Sequence, residues 1–129
     1  MKHIVSDVIS VILTTTIYYL GGLDIALKSL LIMIIIDYLT GVLSAIYNKK
    51  VNSKIGFKGI IKKVSYLFII VLSVIIDNVL GQTGTIRTLV IYFFVANDGI
   101  SILENVAEMD IPLPQKLIDT LEQLKKKGD

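Results

Sequence analysis

The sequence predicts an all-α integral membrane protein: about four transmembrane helices, or three on an alternative reading, followed by a short cytoplasmic amphipathic helix. Three observations carry this prediction. Of the 129 residues 53% are hydrophobic, and the mean hydropathy is +0.74. A soluble domain this small has too much surface per unit volume to hide that fraction. Charged residues are scarce, at 19%, and their local placement says more than the net charge of +2. The apolar residues fall into runs of roughly 20, the length at which a helix rising about 1.5 Å per residue matches a hydrocarbon core of about 30 Å.

The first candidate span is residues 4–20. It carries Asp7, Ser10 and three consecutive threonines, Thr14, Thr15 and Thr16, and ends in the interfacial aromatics Tyr18 and Tyr19. Tyr18-Tyr19-Leu20-Gly21-Gly22 is a poor leader-cleavage site, so this stretch is expected to remain in the mature protein. Gly21 to Asp24 reads as a tight turn, with Asp24 as cap of the next helix.

The second span, residues 27–47, organises the chain. Asp37 sits in its middle, with Gly41 and Ala45 on the same stripe at four-residue steps. Each central Leu, Ile, Val or Phe favours insertion by about 0.3–0.6 kcal/mol and a central Asp opposes it by about 2.5–3.5, so a gain of about 4–6 kcal/mol carries Asp37. An acid beside a small-residue groove points to a helix packed on other helices.

Residues 48–63 form a basic cytoplasmic loop on this reading. Lys49, Lys50, Lys54, Lys58, Lys62 and Lys63 occur there with no acid among them. They orient the chain under the positive-inside rule and attract anionic headgroups. The portion from Ile55 to Ile61 is amphipathic and suited to lie along the membrane.

The third span, residues 64–80, places Ser73, Asp77 and Gly81 at successive four-residue steps and ends in the turn-forming cluster Gly81-Gln82-Thr83-Gly84. The fourth, residues 86–107, is apolar only in its first half. On a helix Asn97, Asp98, Ser101, Glu104, Asn105 and Glu108 share about one third of the circumference. This polar stripe makes the span marginal alone. Asp110 to Pro114 breaks the chain, so residues 1–109 form the transmembrane domain and 110–129 the tail. In the tail Leu117, Ile118, Leu121 and Leu124 share one face of a helix with a basic end. Four spans put both termini in the cytoplasm, with Arg87 the one outside exception to the charge rule.

No catalytic residue, cofactor, metal or nucleic-acid partner is expected. There are no cysteines, the one histidine is His3 near the amino terminus, and no nucleophile–base pair or phosphate loop is present. What remains is one acid in each of three helices: Asp37, Asp77 and Asp98. With no lysine or arginine assigned to their depth, they are expected to be hydrogen-bonded between helices, protonated, or turned to water in an assembly of several copies.

The ordered set D-Y-L-T-G at Asp37 to Gly41 with Ala45, Ser53-Lys54, G-I-I-K-K at Gly59 to Lys63, N-D-G-I-S-I-L-E-N at Asn97 to Asn105, and P-L-P at Pro112 to Pro114 resembles the phage lysis holins. It is most similar to the group that includes clostridial toxin-secretion holins, over about residues 21–124. The resemblance implies a small protein of the bacterial cytoplasmic membrane that homo-oligomerises into lesions. Its functional partner would be an endolysin or a toxin, released without direct contact. The resemblance carries over no catalytic residue. Helix geometry nominates Asp37, Gly41, Ala45, Asp77, Asn97, Asp98, Ser101, Glu104 and Asn105 for assembly or pore lining. Two other classes fit the composition: a small ion or solute transporter, which would show a midplane site and repeated halves, and an antiholin or structural membrane adaptor.

Overall fold

The computed structural model describes residues 1–128, and among these every element is a helix. Helix α1 is Lys2–Tyr19, α2 Ile25–Tyr47, α3 Ser53–Val79, α4 Thr85–Ala107 and α5 Gln115–Gly128.

Capping fixes where these helices begin and end. After α1 the chain passes through Leu20 onto Gly21 and Gly22, at φ of 91° and 100°. The Gly22 N–H donates back to the Ile17 carbonyl at 3.0 Å, a Schellman closure that needs a left-handed residue, which glycine adopts without a Cβ penalty. Asp24 caps α2 as expected, accepting from the Leu27 N–H at 2.9 Å. Asn52 does the same for α3, accepting from the Lys54 N–H at 2.9 Å.

That cap revises the expected basic loop. From Ser53 onward residues 48–63 are helical, because the amphipathic stretch runs without a break into the apolar one. At 27 residues α3 is about 40 Å long, more than a hydrocarbon core requires, so its lysine-bearing first turns extend beyond the apolar run. Lys49, Lys50, Lys54, Lys58 and Lys62 are exposed; Lys63 is not.

Helix α4 is the common partner: α2, α3 and α5 all pack on it, while α2 and α3 touch sparingly. Leu20, Leu27, Leu30, Ile70, Ile91 and Phe94 form the buried core, and the Tyr66 and Phe94 rings stack at 4.0 Å. Outward, Ile32, Ile35 and Leu39 of α2 and Phe68, Leu72 and Ile75 of α3 stay exposed. Apolar surface this extensive suits a lipid solvent.

Three helices, α2, α3 and α4, are long and apolar enough to cross a membrane. The fourth span expected at residues 4–20 is not supported. Helix α1 forms there, but it includes Lys2, His3, Asp7 and the three threonines, buries none of its residues, and stands apart from the bundle. Three crossings, an odd number, would place the termini on opposite sides, not both in the cytoplasm. A helix does form at Gln115–Gly128, and it lies against α4.

Candidate functional site

Where α2, α3 and α4 meet, the chain gathers its polar side chains at one depth. Asp37 lies ten residues from the end of α2, Lys63 ten from the start of α3, and Asp98 nine from the end of α4. These three helix ends are on the same side of the bundle. At about 1.5 Å per residue each group is therefore some 14–15 Å in, near the middle of a hydrocarbon core.

Lys63 is the hub. Its ammonium donates to Asp37 Oδ2 and to Asp98 Oδ1, bridging the two acids, and lies 4.9 Å from the centroid of the Tyr66 ring. This overturns the expectation that no cation reaches the depth of the acids. Lys63 belongs to the stretch expected to be a loop, but it sits inside helix α3. Two carboxylates against one ammonium leave a surplus negative charge when all are ionised, so burial is only partly compensated.

The stripe on α4 turns toward this hub. Ser101 Oγ donates to Asp37 Oδ1 at 2.7 Å. Asn105 Nδ2 donates to Asp37 Oδ1 at 3.1 Å, to its carbonyl at 3.2 Å and to Thr40 Oγ1 at 3.0 Å. Asn97 donates to the Tyr66 hydroxyl at 3.1 Å. Asp98 is fully buried; its Oδ2 has no hydrogen bond of good geometry, and the Tyr66 hydroxyl is the group that approaches it. Gly41 faces the Asn105 amide, where an added Cβ would sit 3.6 Å away.

Gly41 and Ala45, with Ile60, Asp37, Lys63 and Asn105, line an open groove of about 720 Å³ between α2 and the first half of α3. Glu104 stays outside the cluster and is exposed. Glu108 instead accepts from Ser44 at 2.8 Å, closing the end of the α2–α4 contact.

Asp77 is not a mid-depth acid. It lies near the end of α3 and caps α4, accepting from the Ile86 and Arg87 N–H groups at 2.9 Å each. Arg87 is buried and ties the start of α4 to the turn between α1 and α2: it donates to the Leu20 carbonyl at 2.7 Å, to the Gly22 carbonyl at 3.0 Å, and to Asp24 at 2.7 and 3.2 Å. That bond holds the Asp24 carboxyl below its ordinary value of 3.8.

Lys63, Tyr66, Thr40 and Arg87 were the residues sequence reading missed as site partners. One signal was available: Lys63 directly precedes the apolar run of α3, so extending that helix backwards brings it level with the acids. Among the described residues no group of His, Cys, Asp and Glu is arranged to hold a metal ion. The arrangement offers stabilised charge within a bundle.

Comparison with known proteins points the same way. The profile of the bacteriophage holin family matches residues 14–126. An uncharacterised 14.9 kDa protein from the nagH 3′ region of Clostridium perfringens is 44% identical, over 83% of this chain and 82% of its own length. The uncharacterised protein YqxH of Bacillus subtilis is 34% identical, over 88% of this chain and 80% of its own. A probable holin of Bacillus phage phi105 is 29% identical, over 86% of this chain and 82% of its own. No solved structure matches significantly.

Proposed function

Because the chain belongs to the bacteriophage holin family, a family of membrane proteins, we propose that it is a phage or prophage holin. In this reading it accumulates in the cytoplasmic membrane, then assembles with copies of itself into lesions. These release an endolysin, or a toxin, without the protein touching the released enzyme. The observation that carries the reading is the cluster around Lys63. A single copy satisfies most of its own mid-depth polar groups, so it is tolerated in lipid. When copies gather and the helices part, the same groups become the water-facing surface of a lesion. Asp37, Asn97, Asp98, Ser101 and Asn105 are its latent lining, Glu104 is already outward, and Gly41 and Ala45 border the groove along which α2 and α3 separate.

The surplus charge also supplies sensitivity to the membrane potential. Moving one charge through 100 mV is worth about 2.3 kcal/mol, and a charge halfway across feels about half of that. By the positive-inside rule the 48–52 turn, the first turns of α3 and the tail are cytoplasmic. Expression in a bacterium with an endolysin supplied is expected to cause abrupt lysis after a delay. Asp98→Asn, which removes the surplus charge, is expected to lengthen that delay. Steady leakage from the first minutes, at a rate proportional to protein, would overturn the reading.

A further inference from the structure

Helix α5 occupies a position that a membrane-crossing α4 cannot share. After the link at residues 108–114 the chain turns back, and α5 runs antiparallel along the second half of α4. Leu121 marks the register: a Cβ built on Gly99 would meet its two methyl carbons at 2.9 and 3.1 Å, and the Met33 methyl at 3.1 Å. Gly99 is eight residues inside the end of α4, about 12 Å. Lys126 lies five residues beyond Leu121, about 7 Å deeper still, level with the middle of α4.

The outer side of α5 is polar: Lys116, Asp119, Glu122, Gln123 and Lys126 are all exposed. If α4 spans the bilayer, the charged side chains among these, Asp119, Glu122 and Lys126 above all, would stand on an exposed face in hydrocarbon, which membrane segments do not tolerate. The docked α5 and the spanning α4 therefore belong to two different states of the chain.

We infer that α5 is a detachable strap, and that the α4 face it covers around Gly99 is where a second copy of this chain packs once α4 crosses the bilayer. The inference rests on the self-assembling reading above. Two observations select the occupant. The seat already accepts a helix at close range, because Gly99 has no side chain to hold it off. In lipid, close approach at a small residue favours a helix neighbour over acyl chains. A copy's own α4 presents the same notch, so the contact can be self-complementary. Undocking the strap exposes the interface, and lysis timing follows the balance between the two occupants.

The test uses full-length protein in vesicles of phosphatidylethanolamine and phosphatidylglycerol, reading association by energy transfer between labelled copies and permeability by release of trapped carboxyfluorescein. Leu121→Asp loosens the strap and is expected to bring association and release to about tenfold lower protein density. Adding Gly99→Leu to that variant fills the notch and is expected to raise the required density above that of the wild type. Gly99→Ala in the same background, a smaller change, should move it in the same direction. Circular dichroism checks that helicity is equal in all. The inference is overturned if Leu121→Asp leaves the threshold unchanged, or if the notch-filled variants associate as readily as Leu121→Asp alone. Wild-type protein that neither associates nor releases dye at any density would instead overturn the proposed function.

Discussion

Removing the ammonium group of Lys63 would leave Asp37 and Asp98 in the bundle with neutral donors only, among them Ser101 and Asn105 on Asp37. Taking one partner from a buried ion pair typically costs about 3–5 kcal/mol, because an uncompensated charge stays behind. Lys63→Met is expected to lower stability in detergent micelles by about that amount, read from denaturant unfolding. Asp98→Asn keeps a one-to-one pair between Lys63 and Asp37, and should change stability by only about 1 kcal/mol. Equal losses in the two variants would mean that water, not Lys63, balances the acids. Asp24 adds a pH dependence whose sign can be worked out. Its carboxyl is held below 3.8 in the folded chain by the Arg87 hydrogen bond. A depressed carboxyl favours folding fully above its unfolded value of about 3.9, and that contribution disappears as pH falls through the folded value. The side chain is 51% exposed, so solvent screening keeps the effect small. Stability should decline below about pH 4, and Arg87→Met should flatten that decline; an identical acid limb in the variant would remove Asp24 as its source.

At the scale of a helix, α4 starts at Gly84, which has no side chain to cap it, and α3 supplies the missing acceptor through Asp77. Losing such a cap costs about 1–2 kcal/mol. Asp77→Ala should therefore speed amide exchange at Ile86 and Arg87 in micelles, and Asp77→Asn, which keeps one acceptor, should do so less. Unchanged exchange in the alanine variant would show that the carboxylate does not hold this turn. The same comparison explains what the sequence disclosed and what it hid. Apolar runs announced α2, α3 and α4, and Asp24 announced the start of α2, since both signals are local. The early start of α3 is obscured by Gly56, Gly59 and four lysines among residues 53–63, a composition that reads as a loop unless Asn52 is credited as a cap. Periodicity put Asn97, Asp98, Ser101 and Asn105 on one face of α4, but a period names a face and not its neighbour. With Lys63 assigned to a loop, that face is left with interhelical hydrogen bonds or water as its partners; in the fold Ser101 and Asn105 bond to Asp37, and the Lys63 ammonium joins them. Glu104, on the same stripe, points elsewhere because the bundle encloses only part of that arc.

For the molecule as a whole, the count of crossings decides where each turn lies. Helices α2, α3 and α4 crossing once each put the 48–52 turn and the tail on one side, and the Gly21-Gly22 turn, the Gly81–Gly84 turn and α1 on the other. Lys49, Lys50, Lys54, Lys58 and Lys62 cluster at the first side, so the positive-inside rule predicts that this side is cytoplasmic. The second side carries fewer cations, Lys2, Lys28 and Arg87, and the Arg87 charge is bound to Asp24 instead of being free to oppose that orientation. The chain has no cysteine, so single cysteines report topology without background. In bacterial spheroplasts, with the endolysin absent, a membrane-impermeant maleimide is expected to label Gln82→Cys and Ser6→Cys directly. Val51→Cys, in the exposed turn before α3, should react only after permeabilisation. The two accessible positions test different things: Gln82 fixes the orientation of the bundle, and Ser6 asks whether α1 has followed the three packed helices into lipid. Labelling of Ser6→Cys only after permeabilisation, with Gln82→Cys labelled before it, would restore α1 as a fourth crossing and bring both termini to the same side.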